Sequence, residues 1–542
     1  MRALSTVVIC SLGGGLIFSS CHTKTRNDFK RPNILIAISD DQTFVHTGFA
    51  GCKFVNTPGF DRIASSGIYF SNCYCGSPGS APSRGSLVTG RYPWQNEQSG
   101  QHASSYMKKY VPFVDALELN GYHTGFTGKG VAPFQYARND QDSLWRKENA
   151  AGKSYNSIQY KKGDPTDERT AGGIGGINYF ANFRTFMQKR KQGQPFYFWY
   201  GATEPHRDYE KDSWKRNGKD PFLADVPGFL PDDMEIRGDL LDYAVEIEWF
   251  DLHLTRMLNY LDSIGELENT IVIVTGDNGM PFPRAKANCY EYGLHVPLAV
   301  SYPRGFPGKR IVDDPVSFVD FAPTILEITG TEPIGMMPIS GKSLVSILKS
   351  GKQGIVDETR KYVFAGRERH SSSRWNNLGY PQRAVRSRQF LFVWNLKPER
   401  WPAGDPRALK PGTKDELLPM YGIDENGKHH SEWAFTDVDA APSKSFLIEN
   451  YTNKKIRSFF DLSFAKRPEY ELYDVMNDPY CLVNLSGKQE FASVEGEMKN
   501  ELMKELIKSE DPRITGQDKE IFESYIRYSP IREFPSPEQV EN

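Results

Sequence analysis

The chain has little excess charge of either sign. Its 542 residues carry 66 Lys and Arg against 68 Asp and Glu, a formal charge of −2, so no global field favours nucleic acid or an anionic membrane surface as a partner. Any polyanionic substrate must be held by local charge. Cysteine is scarce as well. Past Cys21 there are five, Cys52, Cys73, Cys75, Cys289 and Cys481, an odd number that excludes a complete disulfide framework and reads as mostly buried thiols. The apolar run from Ala3 to Phe18 is too short to span a bilayer and suits the core of a signal peptide. No internal repeat or low-complexity tract is present. With 39% hydrophobic and 13% aromatic residues, the chain reads as globular.

At this length two domains are expected. Residues 1–21 are read as a lipoprotein-type signal peptide, because Phe18-Ser19-Ser20-Cys21 resembles a bacterial lipoprotein cleavage box in which Cys21 becomes the lipidated first residue. A plain secretory signal is the alternative. Either reading implies export, to the periplasm or the outer membrane of a bacterium, with membrane contact only through the lipid. A polar tether, His22 to Lys30, precedes a buried-strand run, Asn33 to Ile38, that ends in Asp40-Asp41. Further runs are Phe196 to Tyr200 and Thr270 to Thr275, the latter closing on Gly276-Asp277-Asn278-Gly279. Helical patterns alternate with them: Phe60–Ala64, Val111–Leu119, Val319–Ile328, and a long one through Leu240, Ala244, Ile247, Leu254 and Leu261. His253, on that helix, is read as a surface or packing residue.

Alternation of strand and helix predicts an α/β catalytic domain over residues 22–350 with a mixed, mostly parallel sheet flanked by helices and a site beyond the strand C-termini. After about residue 350 the texture changes, and a smaller α+β subdomain is expected over 351–542, with a strand at Phe390–Trp394 and a helix at Val494–Ile507. The tail from Ser529 is read as surface cover or loose chain.

The densest chemistry lies in residues 80 to 90, Ser-Ala-Pro-Ser-Arg-Gly-Ser-Leu-Val-Thr-Gly. Pro82 suits a first helical turn that Ser80 or Ser83 could cap. A nucleophile there sits at a helix N-terminus, where free N–H groups and the dipole stabilise an anion, and the Arg84 fork matches a tetrahedral oxyanion. This is a seat for sulfate or phosphate. Asp40, Asp41, Asp277 and Asn278 supply four oxygen donors from two strand ends, with no Cys or His cluster beside them. That set selects Ca²⁺ or Mg²⁺ over Zn²⁺.

Ser80, Pro82, Ser83, Arg84, Leu87, Thr89 and Gly90 fall at the spacing of the type I sulfatase signature, so the chain resembles a formylglycine-dependent sulfatase of the serine-type subgroup. The resemblance continues through Gly128-Lys129, Glu204-Pro205-His206-Arg207, Lys286 and Leu472-Tyr-Asp474, spanning roughly residues 31 to 510. It implies an alkaline-phosphatase-like fold. It also implies oxidation of Ser80 to formylglycine by a maturation enzyme, and a divalent metal held by Asp40, Asp41, Asp277, Asn278 and residue 80. Arg84, Lys129 and Lys286 would neutralise sulfate oxygens, and His206 would serve as the acid for the leaving group. Two family histidines are absent: Val131 and Thr203 stand in their places, and at Val131 either Gln135, His123 or another group substitutes or the site works with fewer donors.

Within the family, Asp277 to Pro283, Pro205-His206-Arg207 and Tyr380 to Arg386 resemble sulfamidases acting on the N-sulfoglucosamine of heparan sulfate. Glu368, Arg369 and His370 are expected to line the sugar pocket. The substrate so implied is a sulfated oligosaccharide of glycosaminoglycan type. Alternatives are an O-sulfatase on another glycan, a phosphatase or phosphodiesterase using unmodified Ser80, or a non-catalytic glycan-binding relative.

Overall fold

A computed structural model describes residues 31–136 and 143–541. The expected signal peptide, Cys21 and the tether lie outside the described residues. Among these residues, no helix is long and apolar enough to cross a membrane.

The larger sheet has eight strands: β1 (Asn33–Ser39), β2 (Ile68–Tyr74), β3 (His123–Gly128), β4 (Phe196–Gly201), β5 (Thr270–Gly276), β6 (His295–Ser301), β7 (Arg310–Val312) and β8 (Val316–Ser317). Their order is β3-β4-β1-β5-β6-β2-β7, with β8 also on β2. All pair in parallel except through β6, which runs antiparallel to both β5 and β2. The sheet is therefore mixed and mostly parallel. The central strands β1, β4 and β5 are buried along their whole length, because helices cover both faces, and this is why they read as unbroken apolar runs. One face packs beneath the helices Tyr179–Lys189 and Met234–Ser263, the other around Phe113–Leu119 and Phe321–Thr329.

A second sheet of four antiparallel strands, β9 (Val363–Arg367), β10 (Gln382–Arg386), β11 (Phe390–Asn395) and β12 (Tyr470–Asp474), runs in the order β12-β11-β10-β9 and carries the helix Ala492–Lys508. Between β11 and β12 the chain departs from this unit. Residues 401–465 supply Ala403, Phe435, Leu447 and Phe464 to a core shared with Leu240 and Ile247 of the long helix, so this segment roofs the first domain. The tail is not loose: Phe534 and Val540 are buried, and Tyr528 N–H bonds the Ala103 carbonyl. The five cysteines past Cys21 are free thiols, and all but Cys52 are buried.

Candidate active site

Two strand ends and one helix start build the site. β1 and β5 are parallel neighbours with Ser39 opposite Gly276, so Asp40-Asp41 and Asp277-Asn278 leave the sheet side by side. Asp41 adopts left-handed backbone, φ 74°, which Asp tolerates better than most residues. Its N–H is fixed by Asp277 Oδ1 at 2.9 Å.

The helix Ser80–Thr89 begins at the same edge, with Gly79 in extended backbone as its N-cap and no side-chain cap. The cap expected from Ser80 or Ser83 is not made, because both hydroxyls are used to tie the helix to the strand ends. Ser80 Oγ donates to Asp40 Oδ1 at 2.9 Å, and Ser83 Oγ to the Asp277 carbonyl at 2.6 Å. The first helical bond runs from Ser83 N–H to the Gly79 carbonyl, leaving the preceding N–H groups to present the positive end of the dipole around Ser80. Pro82 costs nothing there, since its missing N–H would have lacked a helical partner anyway.

Asp40, Asp41 and Asp277 each place an oxygen within 4.8 Å of the other two, all buried. Asn278 Oδ1 lies 3.5 Å from Ser80 Oγ, and its Nδ2 donates to Asp41 Oδ1 at 2.7 Å. Three cations answer the three carboxylates. Lys129 Nζ reaches both Asp40 oxygens at 2.8 and 2.6 Å, Arg84 Nε reaches Asp277 Oδ2 at 2.7 Å, and Lys286 Nζ reaches Asp41 Oδ2 at 2.6 Å. Lys129 is aimed inward by Gly128, whose φ of 78° and contact with the Gly201 carbonyl leave no room for a Cβ.

Burial pushes the Asp40 carboxyl up, but Lys129 and Arg84 overcome it and hold the group well below the usual carboxylate range. Asp277 is pushed up to about 6 by burial and by the Asp40 charge, which Arg84 and Lys129 only partly offset. Lys286 loses by burial and gains more from Asp41 and Asp439, so it stays firmly protonated.

An all-oxygen donor set of three carboxylates and an amide fits a hard divalent cation, which Asp40, Asp41, Asp277 and Asn278 would hold. Arg84 also keeps one buried nitrogen, Nη2, without a hydrogen-bond partner, an N–H suited to an oxyanion oxygen.

His206 stands at the rim, its side chain 37% exposed. Its Nε2 lies 3.9 Å from Asp41 Oδ2 and its Nδ1 2.6 Å from the Arg207 carbonyl. The loop is anchored by Arg207, which forks onto Asp239 at 2.6 and 2.8 Å and bonds the Pro281 carbonyl. That contact explains why Pro205-His206-Arg207 and Pro281-Phe282-Pro283 belong together.

The structure thus brings Ser80, Arg84, Lys129, His206 and Lys286 to the four oxygen donors. The trio expected at the sugar pocket separates. His370 lies against Gly79, where an added Cβ would stand 3.0 Å from its Nδ1. Arg369 lies behind it, bonded to the Tyr525 carbonyl. Glu368 is not at the site: its carboxylate is consumed by Arg383 and Arg513, both at 2.7 Å, in a buried ion-pair cluster. Neither substitute for the absent histidines is there. His123 stacks on Phe186 and meets its carbonyl, while Gln135 bonds the Tyr136 carbonyl. Val131 is buried, and Thr203 contacts the Tyr179 hydroxyl.

Two residues near the site had no motif to announce them. Asp439 accepts from Lys286 Nζ at 2.9 Å and, with Asp41 and His206, forms a second close group of possible ligands. The His102 ring sits 5.0 Å from that of His370.

This fold and site define an α/β enzyme centre of alkaline-phosphatase-like type for a tetrahedral oxyanion, with a hydroxyl-bearing residue at its focus and a hard-cation cradle beside it. The sulfatase family profile matches residues 32–331, and the profile of the N-sulphoglucosamine sulphohydrolase C-terminal region matches residues 284–379. The chain belongs to the sulfatase family, hydrolases of sulfate esters.

Among its relatives, human N-sulphoglucosamine sulphohydrolase is 24% identical over 93% of this chain and 94% of its own length. An ulvan-active sulfatase of Formosa agariphila is 26% identical over 87% and 74%. An N-acetylglucosamine-6-O-sulfatase of Bacteroides thetaiotaomicron is 25% identical over 62% and 74%. A solved structure in complex with its substrate D-glucosamine-2-N,6-O-disulfate superposes with a TM-score of 0.59 at 20% identity, covering 90% of this chain and all of that one.

Proposed function

We propose that this chain removes sulfate from a sulfated amino sugar of a glycosaminoglycan, with N-sulfoglucosamine as the substrate group and residue 80, matured to formylglycine, as the nucleophile. The observation that carries the reading is the Ser80 hydroxyl, 2.9 Å from Asp40 at a helix start, ringed by three carboxylates and three cations. The C-terminal profile match and the near full-length alignment with the human relative favour the N-sulfated substrate.

Formylglycine, once formed at residue 80, would supply a hydrated aldehyde as nucleophile and a route for releasing the sulfate afterwards. Asp40, Asp41, Asp277 and Asn278 would hold a Ca²⁺ or Mg²⁺ ion, which would supply Lewis acidity to the site. The chain's own groups do the rest. Arg84, Lys129 and Lys286 hold the non-bridging sulfate oxygens where charge must be kept through the transition state. His206, its Nδ1–H held by the Arg207 carbonyl, gives the Nε2 proton of its imidazolium form to the departing nitrogen as the S–N bond breaks.

A second reading, an O-sulfatase on another glycan, is favoured by the O-sulfatase relative. For localisation we propose export and a lipid anchor at Cys21, resting on the N-terminal sequence alone.

The test is mass spectrometry of the residue 80 peptide after co-expression with a serine-type maturation enzyme, joined to sulfate release from N-sulfated and 6-O-sulfated glucosamine. Formylglycine with release from the N-sulfated sugar is expected, and Ser80→Ala should abolish it while the protein stays folded. Release from the O-sulfated sugar alone would replace the first reading by the second.

A further inference from the structure

Beside the seat at Ser80, the buried Arg369 and the half-buried Arg527 lie within each other's field, and neither is ion-paired among the described residues. Arg369, 3% exposed, donates from Nη1 to the Tyr525 carbonyl at 2.7 Å, and its Nε and Nη2 are buried without a partner. Arg527 donates from Nη1 to the His370 carbonyl at 3.3 Å, and its buried Nε is also unpartnered. The His102 backbone N–H meets the Arg369 carbonyl, and the His102 ring nitrogen Nδ1 is again buried and unpartnered. The His370 ring, against Gly79 and 5.0 Å from that of His102, joins this group to the nucleophile.

A buried guanidinium without a carboxylate carries an uncompensated desolvation cost. Neither Arg369 nor Arg527 makes an ion pair among the described residues, and the acids within electrostatic reach are engaged elsewhere. Glu368 is held by Arg383 and Arg513, Glu523 by Arg400 and Arg513, and Asp437 by Arg367 and Arg374. Burial, and then the charge of Arg527, pull Arg369 down to about 10. His102 is held well below its ordinary value by burial first, then by His370, Arg527, Lys129 and Lys286, which places the group within the field of the sulfate-binding lysines. Charged donors left unpartnered at the wall of an anion site await a second anion.

We propose that Arg369 and Arg527, with His102, form a second anion subsite that recognises another negatively charged substituent, a sulfate or a carboxylate, on the glycan whose first sulfate occupies the seat at Ser80. This rests on the reading of the substrate as a sulfated glycan and narrows it to one carrying at least two anionic groups in close succession. A sulfate on the same sugar and a uronate on its neighbour are the two sources of that chemistry.

Calorimetric titration of the full chain at low salt separates them, using 2-N-sulfoglucosamine, 2-N,6-O-disulfoglucosamine, and a hexuronate-containing disaccharide with a single N-sulfate. At least one doubly charged ligand should bind about 10-fold to 100-fold tighter than the singly charged one, as charge-assisted bonds to a fork allow. Arg527→Gln and Arg369→Gln should each bring that advantage to within about twofold, and Arg527→Lys, which keeps charge but loses the fork, should fall between. Doubly charged ligands that bind no tighter than the single one, or an advantage that survives both substitutions, would overturn the proposal. Should the variants fail to fold, the preference of the wild-type chain decides alone.

Sulfate release is scored separately. Preference in binding without turnover of any sulfated sugar refutes the functional reading and leaves the subsite, whereas turnover without preference does the reverse.

Discussion

Replacing His206 by Ala tests the assignment of the proton donor most directly. The Arg207 carbonyl can only accept, so the 2.6 Å contact to Nδ1 puts the ring proton on that nitrogen. Nε2 is then the atom that exchanges protons in the cleft, 3.9 Å from Asp41 Oδ2. Loss of the ring leaves Asp41 with Lys286 and Asn278 as partners, and the side chain is partly exposed, so the fold and the sulfate seat should survive.

A positioned general acid contributes roughly 10²- to 10⁴-fold. The expected outcome for matured enzyme is a fall in kcat/KM of about 10³-fold on N-sulfoglucosamine, about 4 kcal/mol of transition-state stabilisation. An activated aryl sulfate, whose leaving group departs without a proton, should lose only about tenfold by the same argument. The assay is continuous aryl sulfate hydrolysis beside chromatographic sulfate release from the sugar. Equal losses on both substrates would remove His206 from the role and send the search for the acid elsewhere.

Chelation should abolish activity, with recovery on adding Ca²⁺ or Mg²⁺, and Asp277→Ala should lose activity that neither ion restores; rescue by Zn²⁺ alone would count against the oxygen-donor argument. Glu368→Gln should lower the midpoint of thermal unfolding, because the buried Arg383 and Arg513 lose one carboxylate and keep only Asp511, Glu520 and Glu523, while sulfate release by the folded fraction changes little. A large rise in KM without destabilisation would return Glu368 to the sugar pocket. His253, buried among Tyr160, Tyr179 and Trp249, is pulled down to about 3 by burial and then by Arg256. The folded state therefore binds fewer protons than the unfolded one below pH ~6.5, and stability falls by up to about 1.4 kcal/mol per pH unit from there towards pH 3. His253→Asn, which keeps an acceptor for the Phe180 N–H, should flatten the acid limb measured by urea unfolding between pH 6 and 4; an unchanged slope would show that the ring is not the group responsible.

The parts of the fold legible in the sequence are those where one local signal decides. β1, β4 and β5 are covered on both faces, and an unbroken apolar run has few other uses. β6 is different. His295-Val-Pro-Leu-Ala-Val-Ser301 contains Pro297, and proline argues against a central strand. It is accommodated because the register between β2 and β6 shifts between Phe70 and Cys73, and Pro297 falls in the gap, pairing with neither β2 nor β5. The insertion between β11 and β12 was equally hidden, since its apolar residues are spent on a helix some two hundred positions earlier in the chain.

The site divides along the same line. The residues around Ser80 are readable because nucleophile, helix start and oxyanion fork are adjacent in sequence, and the acidic pairs because each follows a strand. Asp439 meets Lys286 across 153 positions, and nothing in Thr436-Asp-Val-Asp439 marks it as a partner for a sulfate-binding lysine. Its placement depends on two buried devices. Arg367 and Arg374 grip Asp437, two residues before it, at 2.6 and 2.7 Å. Lys444 Nζ, fully buried, gathers the carbonyls of Ser431, Ala434 and Val438 at 3.0 to 3.1 Å. Because the same roof sets Asp439 against Lys286 and close to His206, the side of the site around His206 is shaped by the segment between β11 and β12, whereas Ser80, Arg84 and Lys129 come from the first domain. Substitutions at Lys444 should therefore alter the choice among sulfated sugars more than the hydrolysis of a small aryl sulfate, although Lys444 touches neither.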